Sequence, residues 1–265
     1  MSRSTDSERR ARCCPALRLG GGTMIPAPRG VHTFSSFGVG PSNRVAWAEC
    51  LAWAGRRPPG RLLVVAGPPG SGKTHLLEAT ANRWLEARPG ARVGALCGAD
   101  YLSLLRRAPG AGAREGLAGE LSCLGLLLLD DLEVLWGRPE ALGELRRTLE
   151  RLMGRGGSAA LACAGRAPGT PPAARAVTSR APGAFVVFLE KPDVETRAEI
   201  LKAVVRSHRE HLPDDVAAAM AERLEPHGRV LAAVAVRLVA LACTAGRAAD
   251  MELARKALEE WGAKS

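Results

Sequence analysis

Residues 62–77 read Leu62-Leu63-Val64-Val65-Ala66-Gly67-Pro68-Pro69-Gly70-Ser71-Gly72-Lys73-Thr74-His75-Leu76-Leu77: an apolar run, a glycine loop, then the start of a helix-like stretch. Gly67 to Thr74 is a complete phosphate-binding loop, and its flanks are what such a loop requires, a strand before it and a helix, expected over His75–Ala87, after it. Gly70 and Gly72 allow the backbone to curl so that Ser71 and its neighbours aim successive N–H groups at a phosphate. The positive end of the new helix dipole falls at the same point. Lys73 is placed to reach the outer phosphates, and the Thr74 hydroxyl to ligate Mg²⁺. The stretch implies a nucleoside triphosphate site.

Outward from the loop, strand-like and helix-like segments alternate. Phe34–Gly40 reads as extended, Pro41-Ser42-Asn43 as a turn and cap, and Arg44–Ala54 as a helix. After the loop come a strand over Arg92–Cys97, a helix over Asp100–Arg107 and a Gly/Ala-rich connection from Pro109 to Gly119. Leu124–Leu129 is short, apolar and followed by Asp130-Asp131, which suits a buried parallel strand better than a helix. Glu140–Met153 is helical, and Ser158–Ala164 and Ala184–Leu189 are strands. This alternation predicts an α/β fold, a parallel sheet with helices on both faces. From Pro192 onward only helices are expected, over Asp193–His208, Pro213–Leu224, Arg229–Ala245 and Asp250–Trp261. The domains are accordingly drawn at 31–190 for the α/β part and 191–265 for a small helical one.

Asp130 closes a central strand at its carboxyl end, where open α/β sheets place ligands. It is expected to hold Mg²⁺ with Thr74, while Asp131 orients the attacking water. Two arginines suit charge stabilisation on an outer phosphate, Arg180 just before the last strand and Arg229 at the start of a late helix.

Composition narrows the rest. The chain has 265 residues, enough for a core that needs neither disulfides nor metals. No stretch approaches the ~20 apolar residues of a membrane span. Net charge is +10, though only five of the 37 basic residues are Lys, so a general Arg/Ala/Gly bias contributes to it. Basicity favours nucleic acid or acidic partners through a nonspecific term. Seven Cys without a Cys-x-x-Cys pair imply a reducing, cytoplasmic setting and no structural zinc. Residues 1–30 differ from the rest: Met1 to Gly22 carries Arg3, Arg9, Arg10, Arg12 and Arg18 with no hydrophobic period. They are read either as a disordered basic arm or as sequence upstream of a true start at Met24.

With these elements in place, the chain resembles the DnaA/Hda family of AAA+ ATPases. Phe34-Ser35-Ser36-Phe37-Gly38-Val39-Gly40-Pro41-Ser42-Asn43-Arg44-Val45-Ala46 is similar to that family's Phe-x-x-Phe-Val-Val-Gly-Pro-Ser-Asn-x-x-Ala motif. Gly72 to Leu77 repeats its Gly-Lys-Thr-His-Leu-Leu, and Leu127 to Asp131 its Leu-Leu-Ile-Asp-Asp. Ser179-Arg180-Ala181 matches a Ser-Arg-Phe box, Pro192 to Arg197 a Pro-Asp-x-Glu-Thr-Arg motif, and His227 to Leu231 an Asn-Val-Arg-Glu-Leu box. The resemblance implies a five-stranded parallel sheet, a helical lid and ATP or ADP with Mg²⁺. It places Phe37, Val39 and Asn43 against the adenine and His75 beside the loop. It makes Arg180 a finger acting on a neighbouring subunit and Arg229 a sensor acting on the chain's own nucleotide.

The departures are as specific. Ala164-Gly165-Arg166 stands where the family has Ser-Asp-Arg, so the phosphate-sensing Asp is absent, and Ala176 replaces a second finger-box Arg. Leu231-Ala232-Ala233-Val234-Ala235 replaces Leu-Glu-Gly-Ala-Leu. The sequence stops at Ser265, before the position of the family's duplex-reading helix-turn-helix, and Pro15-Ala16-Leu17-Arg18-Leu19 lacks a clamp-binding motif. The resemblance thus implies a role in replication initiation or its regulation, with slow or partner-dependent hydrolysis. Its partners are full-length DnaA or further copies of the chain. Two alternatives stay open: a helicase-loader-like protein that holds single strands through Arg106, Arg107 and Arg114, and a nucleotide-binding module without turnover.

Overall fold

The computed structural model describes residues 17–18, 24–25, 31–55, 60–165, 175 and 183–262. Their elements are β1 (Leu17–Arg18), β2 (Met24–Ile25), α1 (Arg44–Trp53), β3 (Leu62–Gly67), α2 (Lys73–Ala87), β4 (Val93–Cys97), α3 (Gly98–Arg107), α4 (Ala111–Leu121) and β5 (Leu126–Asp130). There follow α5 (Pro139–Gly154), β6 (Ser158–Ala164), β7 (Phe185–Phe188), α6 (Val194–Ser207), α7 (Asp214–Arg223), α8 (Gly228–Ala245) and α9 (Met251–Gly262).

The expected parallel sheet is present, five strands in the order β4-β5-β6-β3-β7. Strand β3 is buried at every position and β5 at all but its last, as strands covered on both faces must be. β6 lies between them and is built largely from Ala and other small residues, so α2 and α5 come close to it. Leu127, Leu129, Leu145, Leu149 and Leu161 lie in the core of this unit. Because the strands are parallel, the ends of β3, β5 and β6 open on one edge: the loop after Gly67, the carboxylate of Asp130 and the Ala164-Gly165 pair.

The helical run after residue 189 packs as a second unit, which also takes in residues 35–48 and the loop segment 68–72. Its core joins Leu201, Val205, Val216, Met220, Leu231 and Leu238. Helix α8 has the length and composition of a membrane span, with an 18-residue window of mean hydropathy 1.7, contrary to the expectation that no stretch comes close. Its apolar residues have a packing reason: Leu231, Val234, Ala235, Leu238 and Ala242 are buried in this second core.

Other expectations are corrected. The Pro109–Gly119 connection is mostly helix α4. Three internal glycines disfavour a helix by about 1 kcal/mol each, but Ala118 and Leu121 are buried, and Glu115 and Glu144 pair with Arg151 and Arg114 between α4 and α5. Phe34–Gly40 is a run of turns and irregular backbone rather than an extended segment. A 3-10 turn, Leu132–Leu135, follows β5, with Asp131 left-handed at φ 51° before it. Within the region expected to carry no fold, β1 and β2 pair antiparallel; the rest of residues 1–30 lies outside the described residues.

Candidate nucleotide-binding site

In the sheet unit, α2 begins at Lys73, so the residues after the loop are helical from the first one able to meet a phosphate. Lys73 is 9% exposed, whereas Thr74 is open to solvent. The Thr74 hydroxyl donates to Asp130 Oδ2 at 2.6 Å, and Asp130 Oδ1 accepts the Asp131 N–H at 2.8 Å. These two side chains, 56 positions apart, are thus brought together as expected. Asp131 is exposed beside them.

The Thr74–Asp130 pair fits Mg²⁺. It offers hard oxygens, and one or two protein ligands beside substrate phosphates are this ion's usual arrangement. Among the described residues no group of three or more His, Cys, Asp or Glu is arranged to hold a metal.

His75 faces the chain's leading segment. Its Nε2–H donates to the Thr33 carbonyl at 3.1 Å, and its ring stacks on His32 at 4.4 Å. His32 in turn donates through Nδ1 to Glu78 at 2.9 Å, and Asn82 donates to the His32 carbonyl at 2.6 Å. Burial, reinforced by His32, lowers the His75 pKa to about 4, so the ring is neutral near pH 7.

In the helical unit, the glycine half of the loop is held mainly by backbone. Gly70 (φ 74°) and Gly72 (φ 97°) adopt the left-handed conformation that glycine allows. A Cβ on Gly70 would meet the His227 ring at 2.4 Å, and one on Gly72 would meet Phe37 at 3.1 Å. The Gly228 N–H donates to the Gly70 carbonyl at 2.7 Å, tying the loop to the first turn of α8. Ser71 is buried at 7% exposure, and its hydroxyl has no partner among the described residues. Arg229 is exposed on that same first turn.

The leading motif is built around Asn43, whose buried amide accepts from Gly40 N–H and donates to the Gly38 carbonyl, both at 2.9 Å. Phe37 is buried, and Val39 is half-buried. This motif seats on α6. Ser42 Oγ donates to Thr196 Oγ1 at 2.8 Å, and a Cβ on Gly40 would lie 2.3 Å from that same hydroxyl oxygen. Two sequence motifs read separately are therefore one contact. Asp193 caps α6 by accepting the Thr196 N–H at 2.7 Å.

Arg180, Arg166 and Ala176 lie outside the described residues. The sequence reading overlooked Glu133, His227, Gly228 and Thr196. Thr196 stood inside a recognised motif, and His227 and Gly228 lay inside a box read only for its arginine. Glu133 carries no local signal beyond an acid shortly after Asp130-Asp131.

The family described as the bacterial DnaA ATPase domain matches residues 29–174. The chain is 32% identical over 238 residues to the chromosomal replication initiator protein DnaA of Thermomicrobium roseum, covering 88% of this chain and 50% of the relative. It therefore spans about half the length of the curated relatives it matches. The crystal structure of domain III of the Thermotoga maritima replication initiation protein DnaA superposes with a TM-score of 0.72 at 27% identity, covering 89% of this chain and 98% of that one. A replication initiator DnaA bound to AMPPCP and single-stranded DNA shares the fold, with a TM-score of 0.64 at 24% identity over 78% of this chain and 64% of that one. A matched stretch of more than half the sequence, carrying both the phosphate loop and the Asp130 strand, settles the assignment: the chain belongs to the DnaA ATPase-domain family.

Proposed function

We propose that this chain is a cytoplasmic ATP-binding AAA+ protein acting in the initiation of bacterial DNA replication or in its control. The observation that carries the reading is the Thr74–Asp130 hydrogen bond of 2.6 Å at the mouth of a complete phosphate loop. In this reading the Gly70 to Gly72 amides cradle ATP or ADP phosphates, Lys73 neutralises them, and Thr74 with Asp130 holds Mg²⁺. Bound Mg²⁺ would draw charge from the β- and γ-phosphate oxygens. Phe37, Val39 and Asn43 lie on the adenine side with His75 fixing the segment that leads to them, Asp131 orients water, and Arg229 serves the chain's own nucleotide. Arg180 acts in trans on the ATP of full-length DnaA or of a second copy. The α/β part, 31–190, and the helical part, 191–265, form the working module.

The test is ATP hydrolysis by ATP-loaded full-length DnaA from the same source, with and without this chain. Acceleration that disappears with Arg180→Ala marks a regulator of the initiator. No acceleration by the intact chain removes that role. A second reading, single-strand binding, is favoured by one surface: Arg106, Arg114 and Arg138, with Glu140 and Glu144 among them, line a cavity of about 430 Å³ beside α3 and α5, and Arg114 pairs with Glu144 there. The related DnaA structure that holds single-stranded DNA supports it. Salt-sensitive binding of an unstructured oligonucleotide, weakened by Arg106→Ala, would establish it.

A further inference from the structure

Strand β6 ends on Ala164, with Gly165 next, and brings no acid of its own, yet an acid stands there. Glu133, on the 3-10 turn after Asp130-Asp131, reaches to β6, and its Oε2 accepts the Ala164 N–H at 2.9 Å. Ala164 is the register partner of Gly67, the first residue of the loop, and Gly165 N–H donates to the Gly67 carbonyl at 3.2 Å. Neighbouring strands lie about 4.8 Å apart, so this carboxylate sits one strand away from where the loop begins. Lys73 is felt at the same place. Burial pushes the Cys163 thiol of β6 up to about 12, with Glu133 raising it and Lys73 lowering it. Asp130 closes the adjacent strand on the other side. Oε1 of Glu133 is engaged by no described residue.

A carboxylate here has two possible uses. As a cap for the last N–H of β6 it needs only to accept a hydrogen bond, and an amide would serve as well. As a partner for water it needs its charge.

We propose that Glu133 is a catalytic residue, its Oε1 accepting a hydrogen bond from the water that attacks the terminal phosphorus of ATP. This rests on the reading that the chain binds ATP. In the step, the water oxygen bonds to the γ-phosphorus as the bond to the β–γ bridging oxygen breaks, the electron pair leaving with ADP. One water proton stays on the released phosphate, and the other passes by Glu133 to solvent. Glu133 thereby supplies from a neighbouring turn the acid that the β6 end lacks, and Asp131 orients the same water from beside Asp130.

The experiment measures equilibrium ATP binding, single-turnover hydrolysis of bound ATP with Mg²⁺, and melting temperature. The proteins are the full chain, Glu133→Gln, and Glu133→Gln combined with Gly165→Asp. The amide variant should melt like the parent, hold ATP within about twofold, and hydrolyse it about tenfold more slowly or worse. Gly165→Asp should restore part of that loss by returning an acid to the strand end. Unchanged hydrolysis in Glu133→Gln, or lost affinity in it, reduces Glu133 to a cap and overturns the inference. A parent chain that binds ATP but never turns it over overturns it too, leaving the binding site intact. A parent chain that binds no ATP overturns instead the reading on which the inference rests.

Discussion

The two halves of the phosphate loop are held in opposite ways. The downstream half, Lys73 and Thr74, is fixed by side chains: a buried ammonium stem and a hydroxyl bonded to Asp130. The upstream half, Pro68 to Gly72, is fixed chiefly by what it lacks. Gly70 has no Cβ and so admits the His227 ring, and Gly228 has none and so brings its N–H onto the Gly70 carbonyl. The chemistry of phosphate and metal belongs to the first half, and the shape of the loop to the second. Damage to each should be distinguishable.

The largest effect is expected at Lys73. Removing a charge-assisted partner of a phosphate costs about 2–5 kcal/mol, so Lys73→Ala should abolish detectable ATP binding in a fluorescent-nucleotide titration. Tight binding by that variant would sink the side-chain half of the contrast. Asp130→Asn comes next. It should leave binding in EDTA nearly unchanged while removing most of the gain that Mg²⁺ brings, about tenfold, in the same titration. The upstream half is probed by Gly228→Ala, whose new Cβ would stand 2.8 Å from the Gly70 carbonyl oxygen. Overpacking of this kind costs about 1–3 kcal/mol. Both melting temperature and ATP affinity should fall together, unlike the clean binding loss at Lys73.

The smallest effect concerns His75, outside both halves. Its pKa is lowered to about 4 by burial and by His32, with Glu78 and the Thr33 carbonyl opposing. Between about pH 6.5 and pH 4 the unfolded chain takes up a proton there that the folded chain refuses. This contribution to stability is intact above that window and is lost as pH falls through it. His75→Asn should therefore show a shallower drop in melting temperature from pH 7 to about pH 4.5 than the parent does. Equal slopes would show that the ring is not shielded.

What the sequence reveals divides along the same line. Strands β3, β5 and β6 are legible because a strand buried on both faces is a short apolar run, and Lys73, Thr74 and Asp130 because their chemistry fixes their residue types and their order. Helix α4 is not legible. Gly112, Gly116 and Gly119 read as a connector, and the helix owes its existence to packing and ion pairs with α5. The 34–40 stretch reads as extended because nothing local announces that Asn43 will gather its backbone into turns. Glu133 and His227 stay hidden for one reason: each acts on a distant element, and no local pattern encodes strand register or which helix turn meets a glycine.

The seat of the leading motif on α6 has a consequence for how such a sequence drifts. A Cβ on Gly40 would fall on Thr196 and one on Gly38 on the Ile200 backbone, and Ser42 spends its hydroxyl on Thr196. Neither glycine can gain a Cβ. A side chain at 40 would stand 2.5 Å from the Thr196 Cα, a clash that no smaller residue at 196 removes, and a lost hydroxyl at 42 would leave the fully buried hydroxyl at 196 with the Ser42 N–H, at 3.3 Å, as its donor. Because the glycines abut backbone, no change at 196 or 200 makes room for a side chain at 38 or 40, so the two motifs are held together although more than 150 residues of chain separate Ser42 from Thr196.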